Sequence, residues 1–223
     1  MAGEVRERQL ALPLLGNAGP PGVTPAARAA RIDEISDEIP ELRPNAKPTI
    51  TFSLTRLARE TIHSELAFSR RFMEEELGET GGWLLGERVP GKWLVSATDL
   101  GAGTRRSKQC GLNYEQVRHE VYRASLSPRG SSRRFLGCWH VHPIVGYTEP
   151  SNTDRKSALR GLEWHELNPA EFALDIIVSP HFERGWNSPQ FTAWATRRDR
   201  WAGAITEPAT IAGLTGDVNR YRE

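Results

Sequence analysis

The sequence is poor in cysteine and in long apolar runs, and each shortage excludes a class of protein. Only two of the 223 residues are cysteines, Cys110 and Cys138, and they lie in different segments. A disulfide scaffold is therefore excluded, and a reducing cytoplasm is the expected location. The apolar run from Leu10 to Leu15 is short and contains Pro13, so we expect neither a secretion signal nor a membrane segment.

An excess of one charge is also lacking. The chain carries 29 basic and 28 acidic side chains, for a formal net charge of +1. This balance argues against a dedicated nucleic-acid or membrane-surface binder, so neither is an expected partner. The length suits one domain, which is large enough to bury a core.

The composition divides the chain into three parts. Residues 1–47 are rich in proline, glycine and alanine and lack a sustained apolar period, which predicts a flexible N-terminal arm. A partner-docking peptide is the alternative for the arm, although it contains no recognisable docking motif. Residues 48–205 are predicted to form the folded domain, and residues 206–223 a C-terminal tail.

Within the domain, helical and strand patterns alternate. Apolar residues at helical spacing predict a long helix from Thr55 to Glu76, ended by Gly78, and a second helix from Tyr114 to Leu126. Short apolar runs predict strands at Ile50–Phe52, Trp83–Leu85, Lys92–Thr98, Phe135–Trp139, Phe172–Val178 and Phe191–Thr196. The alternation favours an α/β sandwich, in which a mixed sheet is flanked by helices.

Two histidines close the strand that begins at Phe135. His140 and His142 are two positions apart, so both point to one face of the strand, about 6.6 Å apart along the chain. Ser151-x-x-Asp154 then opens a helix, which returns a carboxylate toward the strand end. Two imidazoles and one carboxylate, with a fourth position left for water, are typical of a catalytic zinc (Zn²⁺) site.

Each half of this pattern also has an ordinary explanation. Two histidines can share a strand face by chance, and Ser-x-x-Asp is a common helix cap. The two halves follow each other across a short loop, however, and together they favour the metal site.

A third segment, Glu79-Thr-Gly-Gly-Trp-Leu-Leu-Gly86, completes a pattern that resembles the JAMM (MPN-domain) metalloprotease family over roughly residues 50–200. The resemblance implies an MPN, cytidine-deaminase-like, three-layer sandwich. It implies zinc ligands at His140, His142 and Asp154, a general acid/base at Glu79, and an oxyanion-binding hydroxyl at Ser151. The spacing from His142 to Ser151 is one residue longer than usual in the family, which a wider turn around Gly146 would absorb.

The same resemblance implies a function. Family members are zinc-dependent isopeptidases or peptidases that hydrolyse the bond after the C-terminus of a ubiquitin-like protein or its conjugate. In bacterial relatives, an E1-like enzyme encoded nearby is a further candidate partner. Two alternatives are a noncatalytic MPN-fold scaffold and a DNA-repair-linked protein of the same fold. The second is disfavoured by the balanced charge of residues 48–223, with 23 basic and 21 acidic side chains.

Overall fold

The computed structural model describes residues 38–90, 92–97, 134–163 and 171–212. In these ranges the chain forms nine strands and two helices, which confirms the mixed α/β class. The predicted helix Tyr114–Leu126 lies outside the described residues. The elements are β1 (Glu41–Leu42), β2 (Thr51–Leu54), α1 (Arg56–Glu76), β3 (Gly81–Val89), β4 (Lys92–Ala97), β5 (Arg134–Val141), α2 (Asn152–Glu163), β6 (Phe172–His181), β7 (Gly185–Asp199), β8 (Gly203–Pro208) and β9 (Thr210–Ala212).

All nine strands belong to one mixed sheet, in the order β1-β8-β7-β6-β5-β3-β4-β2-β9. Strand β5, which carries the histidines, lies in the middle of the sheet. It pairs antiparallel with β3 and parallel with β6. Its C-terminal end is therefore held on both sides.

The sheet curls until its two halves meet on one segment. Strands β8 and β9 are separated only by Ala209, yet β8 pairs with β7 and β9 pairs with β2. The change of partner occurs at this point, because the N–H of Ala209 donates to the carbonyl of Ala193 at 2.8 Å, and that of Thr210 to the carbonyl of Ile50 at 2.8 Å. We call residues 203–212 the closing segment.

Helix α1 confirms the predicted long helix. The Thr55 side chain caps it by accepting a hydrogen bond from the N–H of Ala58. The helix ends at Glu76, as predicted. The left-handed residue that follows it is Leu77, with a φ of 51°, and not the predicted Gly78. Its buried side chains join the main core: Ala58, Ile62, Leu66 and Met73. No helix among the described residues combines the length and apolar character needed to cross a bilayer.

The two helices cover opposite faces of the sheet. Leu174, Ile176 and Val178 of β6 belong to the core that contains α1, whereas Ala173 clusters with Leu159 of α2. Alternate residues of a strand point to opposite faces, so the α2 side is also the face of Asp175 and Ile177.

A bulge in β5 sets which residues reach the α2 face. Leu84 pairs with Gly137, and Leu85 pairs with Phe135, so Leu136 is an additional residue in β5. Gly137 has a φ of +145°, and a Cβ atom on it would lie 1.8 Å from the carbonyl oxygen of Leu174. Only glycine permits this close approach of β5 to β6.

The predicted N-terminal boundary at residue 48 requires correction. Strand β1 pairs in parallel with β8, and the N–H of Arg43 donates to the carbonyl of Thr206 at 2.8 Å. The Glu38 carboxylate accepts hydrogen bonds from the N–H of Ala204 at 3.0 Å and from Arg198 at 2.7 Å. The sequence showed no apolar period here because two backbone-paired residues need none. Residues 1–37 of the predicted arm lie outside the described residues.

The predicted tail is wrong at its beginning for a similar reason. Residues 206–212 belong to β8 and β9, and Thr206 and Glu207 are buried. The carboxylate of Glu207 accepts hydrogen bonds from Arg197 and from Thr49. Polar side chains that are paired inside the sheet made this strand look like a surface loop.

Candidate metal centre

The three predicted zinc ligands meet at one point. The Nε2 atoms of His140 and His142 lie 2.9 Å apart. The Asp154 carboxylate approaches both rings, with Oδ1 3.5 Å from His140 Nε2 and Oδ2 3.3 Å from His142 Nε2. This group is one of two sets of His, Cys, Asp or Glu side chains within the described residues whose ligand atoms all lie within 4.8 Å of each other.

The two histidines reach this point from the end of β5. Gly81 of β3 lies opposite His140, and the N–H of His142 donates to the carbonyl of Val178 in β6 at 2.9 Å. Both rings are buried, with 5% of His140 and 4% of His142 exposed. Backbone pairing on both sides therefore holds the backbone of the two histidines in place.

Asp154 comes from the first turn of α2, and a reciprocal cap holds it there. Its Oδ2 accepts a hydrogen bond from the N–H of Ser151 at 2.7 Å, and its own N–H donates to the Ser151 hydroxyl at 3.2 Å. This is a capping box with Asp in place of Glu. The ordinary explanation of Ser-x-x-Asp is thus correct, and the same carboxylate also faces the two histidines.

The charges of the site favour a bound cation. Burial alone would raise the pKa of Asp154, but hydrogen bonds from His140 and His142 hold that pKa well below its ordinary value. Burial alone would lower the pKa of His140, but the Asp175 charge and a hydrogen bond to Asp154 raise that pKa well above its ordinary value. Two ring nitrogens 2.9 Å apart cannot both present lone pairs without repulsion, so without metal one of them carries a proton. A metal ion would replace that proton.

The ligand atoms fit a zinc ion after a small expansion. Two nitrogens bound to one tetrahedral zinc lie about 3.3 Å apart, since each zinc–nitrogen bond is about 2.0–2.1 Å. The ring nitrogens of His140 and His142 need to separate by only about 0.4 Å to reach that distance. The donor set of two imidazoles and one carboxylate is also one that catalytic zinc accepts.

Each histidine uses its second ring nitrogen to contact a different acceptor. His140 Nδ1 lies 3.0 Å from the Asp175 carboxylate, and His142 Nδ1 lies 3.1 Å from the Tyr147 carbonyl oxygen. Asp175 is buried, and it was not predicted as a site residue because it lies inside the apolar run Phe172–Val178. A single charged residue within such a run was the signal that could have found it, since a buried carboxylate needs a partner.

The register of β3 places Glu79 beside the centre. The N–H of Val141 donates to the carbonyl of Thr80 at 2.9 Å, which continues the pairing one residue beyond Gly81. The same register, extended by one more residue, would set Glu79 opposite His142. Residues directly opposite each other in an antiparallel pair present their side chains on the same face. The Thr80 hydroxyl, on the other face, donates to the buried carboxylate of Glu65 in α1 at 2.6 Å. Glu79 is half-buried, and this pairing directs it to the face of the histidines.

The loop between His142 and Ser151 accommodates its additional residue. Gly146 has a φ of +76°, and a Cβ atom there would meet nothing within 4 Å. The loop is anchored further on, where the carbonyl of Thr148 accepts hydrogen bonds from Thr192 at 2.7 Å and from the Trp194 indole at 2.9 Å. The longer loop therefore does not keep Asp154 from the histidines.

Comparisons with known proteins add little. No family model matches the chain, and no curated protein matches it. Among solved structures, the chain is similar to the solution structure of protein DSY2949 from Desulfitobacterium hafniense, with 16% sequence identity and a TM-score of 0.43. That match covers 74% of this chain and 96% of the other. A likeness at this level supports no argument about function, so the functional argument depends on the geometry of the centre.

Proposed function

We propose that the protein is a zinc-dependent peptidase or isopeptidase of the JAMM type, with an MPN-type fold, acting after the C-terminus of a ubiquitin-like protein or its conjugate. The observation that carries the proposal is the convergence of His140, His142 and Asp154 on one point. The three groups are held by β5 and by the cap of α2, and they supply three ligands, as a catalytic zinc site does. The Glu79 and Ser151 segments border the same point.

A zinc ion bound by these residues would lower the pKa of a water molecule from about 15.7 toward about 7 and would polarise the substrate carbonyl. Glu79 acts as the proton carrier. Its carboxylate accepts the proton of the attacking water and passes it to the nitrogen of the leaving amine. The register of β3 supports this role, because its extension beyond Gly81 and Thr80 sets Glu79 on the same face of the sheet as the histidines.

Ser151 stabilises the oxyanion, the negative charge that develops on the substrate carbonyl oxygen in the proposed reaction. Its hydroxyl oxygen accepts the N–H of Asp154, and a hydrogen bond from the Ser151 side chain helps to lower the pKa of the Asp154 carboxyl. In the reaction that we propose, the hydroxyl hydrogen turns from this carboxylate to the oxyanion. Loss of one such donor typically lowers the rate by about 10²–10³-fold. The cap of α2 thus has two uses, since it orients Asp154 and presents a hydrogen-bond donor.

The resemblance of the motif supports a ubiquitin-like substrate, and the surface near the centre supports a protein substrate in general. The loop after His142 exposes three apolar side chains, Ile144, Val145 and Tyr147, at 56%, 46% and 48%. Exposed apolar groups that cluster near a reaction centre favour contact with a polypeptide. An E1-like enzyme that activates the same ubiquitin-like protein, encoded nearby, is the further partner that we propose, and the cytoplasm is the proposed location.

The proposal is tested first by the metal. The purified wild-type protein should contain about one zinc per chain, measured by elemental analysis after dialysis, and His142→Ala and Asp154→Ala should contain little. His181→Ala is the matched control, because His181 Nδ1 accepts the N–H of Glu183 outside the centre. Equal zinc in the wild type and in both ligand variants would contradict the ligand assignment.

The reaction is tested separately, with ubiquitin-like proteins fused through their C-terminus to a reporter amine. We expect zinc-dependent release of the reporter, and its loss in His142→Ala. A protein that binds one zinc but releases no reporter from any such fusion would favour the noncatalytic scaffold.

A further inference from the structure

The buried carboxylate of Asp175 has no part in the reaction proposed above, yet it lies next to the metal centre. It is in the middle of β6, where the register places it opposite Cys138, two residues before His140. Its Oδ1 lies 3.0 Å from His140 Nδ1, and the two side chains are only 4% and 6% exposed. The Cys138 thiol donates to the same oxygen at 3.5 Å.

A carboxylate at this place is costly for stability. Removal of an ionised carboxylate from water is unfavourable even when partners are present, and a protein with an apolar side chain of similar size in its place is often as stable or more so. The neighbours of Asp175 along β6 on the same face are Ala173 and Ile177, which are fully buried apolar residues. The presence of a charge among them points to a role other than stability.

The two histidines differ in the acceptor that faces the second nitrogen. His142 Nδ1 faces a neutral backbone carbonyl, that of Tyr147, at 3.1 Å. Only His140 faces a carboxylate, that of Asp175, at its Nδ1 atom. A charged acceptor at Nδ1 fixes the hydrogen on that nitrogen, leaves the lone pair on Nε2 and makes Nε2 a better metal ligand.

We propose that Asp175 is a positioning residue of the metal centre, an inference that rests on the proposed zinc site. Asp175 holds the hydrogen of His140 on Nδ1, and so directs the Nε2 lone pair to the point shared with His142 and Asp154. Cys138 donates to the same carboxylate oxygen and so helps to hold it in place. Partners of this kind typically contribute about 10–100-fold to metal affinity.

The test compares zinc affinity among variants, with a chromophoric chelator as competitor. Asp175→Asn keeps the size of the side chain and an oxygen acceptor but removes the charge, and it should lose about 10–100-fold in zinc affinity. Cys138→Ala should change the affinity much less, because the contact from His140 to Asp175 remains. Thr196→Val is the stability control, since it removes a buried hydrogen bond of 2.8 Å to Thr206 outside the centre.

A second measurement separates positioning from general packing. In zinc-loaded protein with ¹⁵N-labelled histidine, the wild type should show a protected Nδ1–H signal for His140, and Asp175→Asn should weaken that signal. Neither zinc affinity nor this signal should change in Thr196→Val. If Asp175→Asn does not fold, it is replaced by Asp175→Ser, which has a smaller side chain with an oxygen acceptor. Failure of both variants to fold without metal would assign Asp175 a structural role instead.

Failure of the role proposed for Asp175 can be told apart from failure of the proposed zinc site. A wild type that binds zinc while Asp175→Asn binds it within twofold as tightly would overturn this inference alone. Two zinc ions per chain, with no Nδ1–H signal, would overturn it in favour of a second metal at Cys138, His140 and Asp175. A wild type that binds no zinc would overturn both.

Discussion

Gly137 lies in the bulge of β5, between the core and the histidines, and an alanine there would collide with the neighbouring strand. The new Cβ atom would be 1.8 Å from the Leu174 carbonyl oxygen, 2.8 Å from its carbonyl carbon and 2.9 Å from its nitrogen. Carbon atoms of side chains essentially never come closer than 3.0 Å to such atoms. Strands β5 and β6 would have to separate by about 1.2 Å, the difference between 3.0 and 1.8 Å.

Three costs then act together on the stability of the fold. Forced overpacking costs about 1–3 kcal/mol, and a positive φ in a residue with a Cβ atom costs about 1–2 kcal/mol. Each ladder hydrogen bond lost between β5 and β6 costs about 1 kcal/mol more. We expect Gly137→Ala to lower the free energy of unfolding by about 3–6 kcal/mol, a large part of the roughly 5–15 kcal/mol that holds a domain together.

Urea denaturation with zinc-free protein measures this change, and Gly146→Ala is the matched control. Gly146 also has a positive φ, of +76°, but open space around it, so its substitution should cost only about 1–2 kcal/mol. The difference between the two variants isolates the collision with Leu174. Equal destabilisation by the two substitutions would refute the steric argument.

Three other predictions concern the proton carrier, the N-terminal segment and the apo site. Glu79→Gln should keep zinc content and melting temperature near wild type while the hydrolysis rate falls by about 10²–10⁴-fold, and near-wild-type turnover would exclude Glu79 as the acid/base. Deletion of residues 1–37 should leave the melting temperature almost unchanged. Deletion of residues 1–47 should lower it by several degrees, because that deletion also removes β1 and the Glu38 contacts. Equal melting temperatures of the two truncated proteins would show that β1 contributes nothing to stability. In the metal-free protein the pKa of His140 is raised, so the protonated ring stabilises the fold fully below the unfolded-state pKa of about 6.5, and this stabilisation is lost as pH rises through the folded-state pKa. Zinc affinity should increase over the same rise in pH, because the metal competes with that proton. Calorimetry and chelator titration from pH 6 to 9 should show these opposite trends, and parallel trends would contradict the assignment of His140 as a ligand.

The convergence of three of the predicted site residues could be foreseen because it depends on local sequence patterns. His140, His142 and Asp154 lie within one short stretch, and strand alternation together with a helix cap suffices to place them on one face. Helix α1 was predictable for the same reason, since a long apolar period and the cap at Thr55 both belong to it.

The features that were missed depend on distant parts of the chain. Strands β8 and β9 carry few apolar signals of their own, and their pairing partners β1 and β2 lie near the other end of the described chain. Asp175 is explained only by His140 on the neighbouring strand. The bulge at Gly137 depends on the approach of Leu174, which no local pattern encodes.

The closing segment also has a consequence for the order of folding. Its contacts with the first described residues span 166 positions, from Ala204 to Glu38, and 158 positions, from Glu207 to Thr49. Contacts of such long range form slowly, because the entropy of closing a large loop is lost before the contact is gained. The proposed zinc ligands come from one stretch of chain, so they can meet on a nascent polypeptide before residue 212 has been synthesised. We therefore expect zinc to bind a partly folded chain and to increase the folding rate, while closure of the sheet is the last and slowest step.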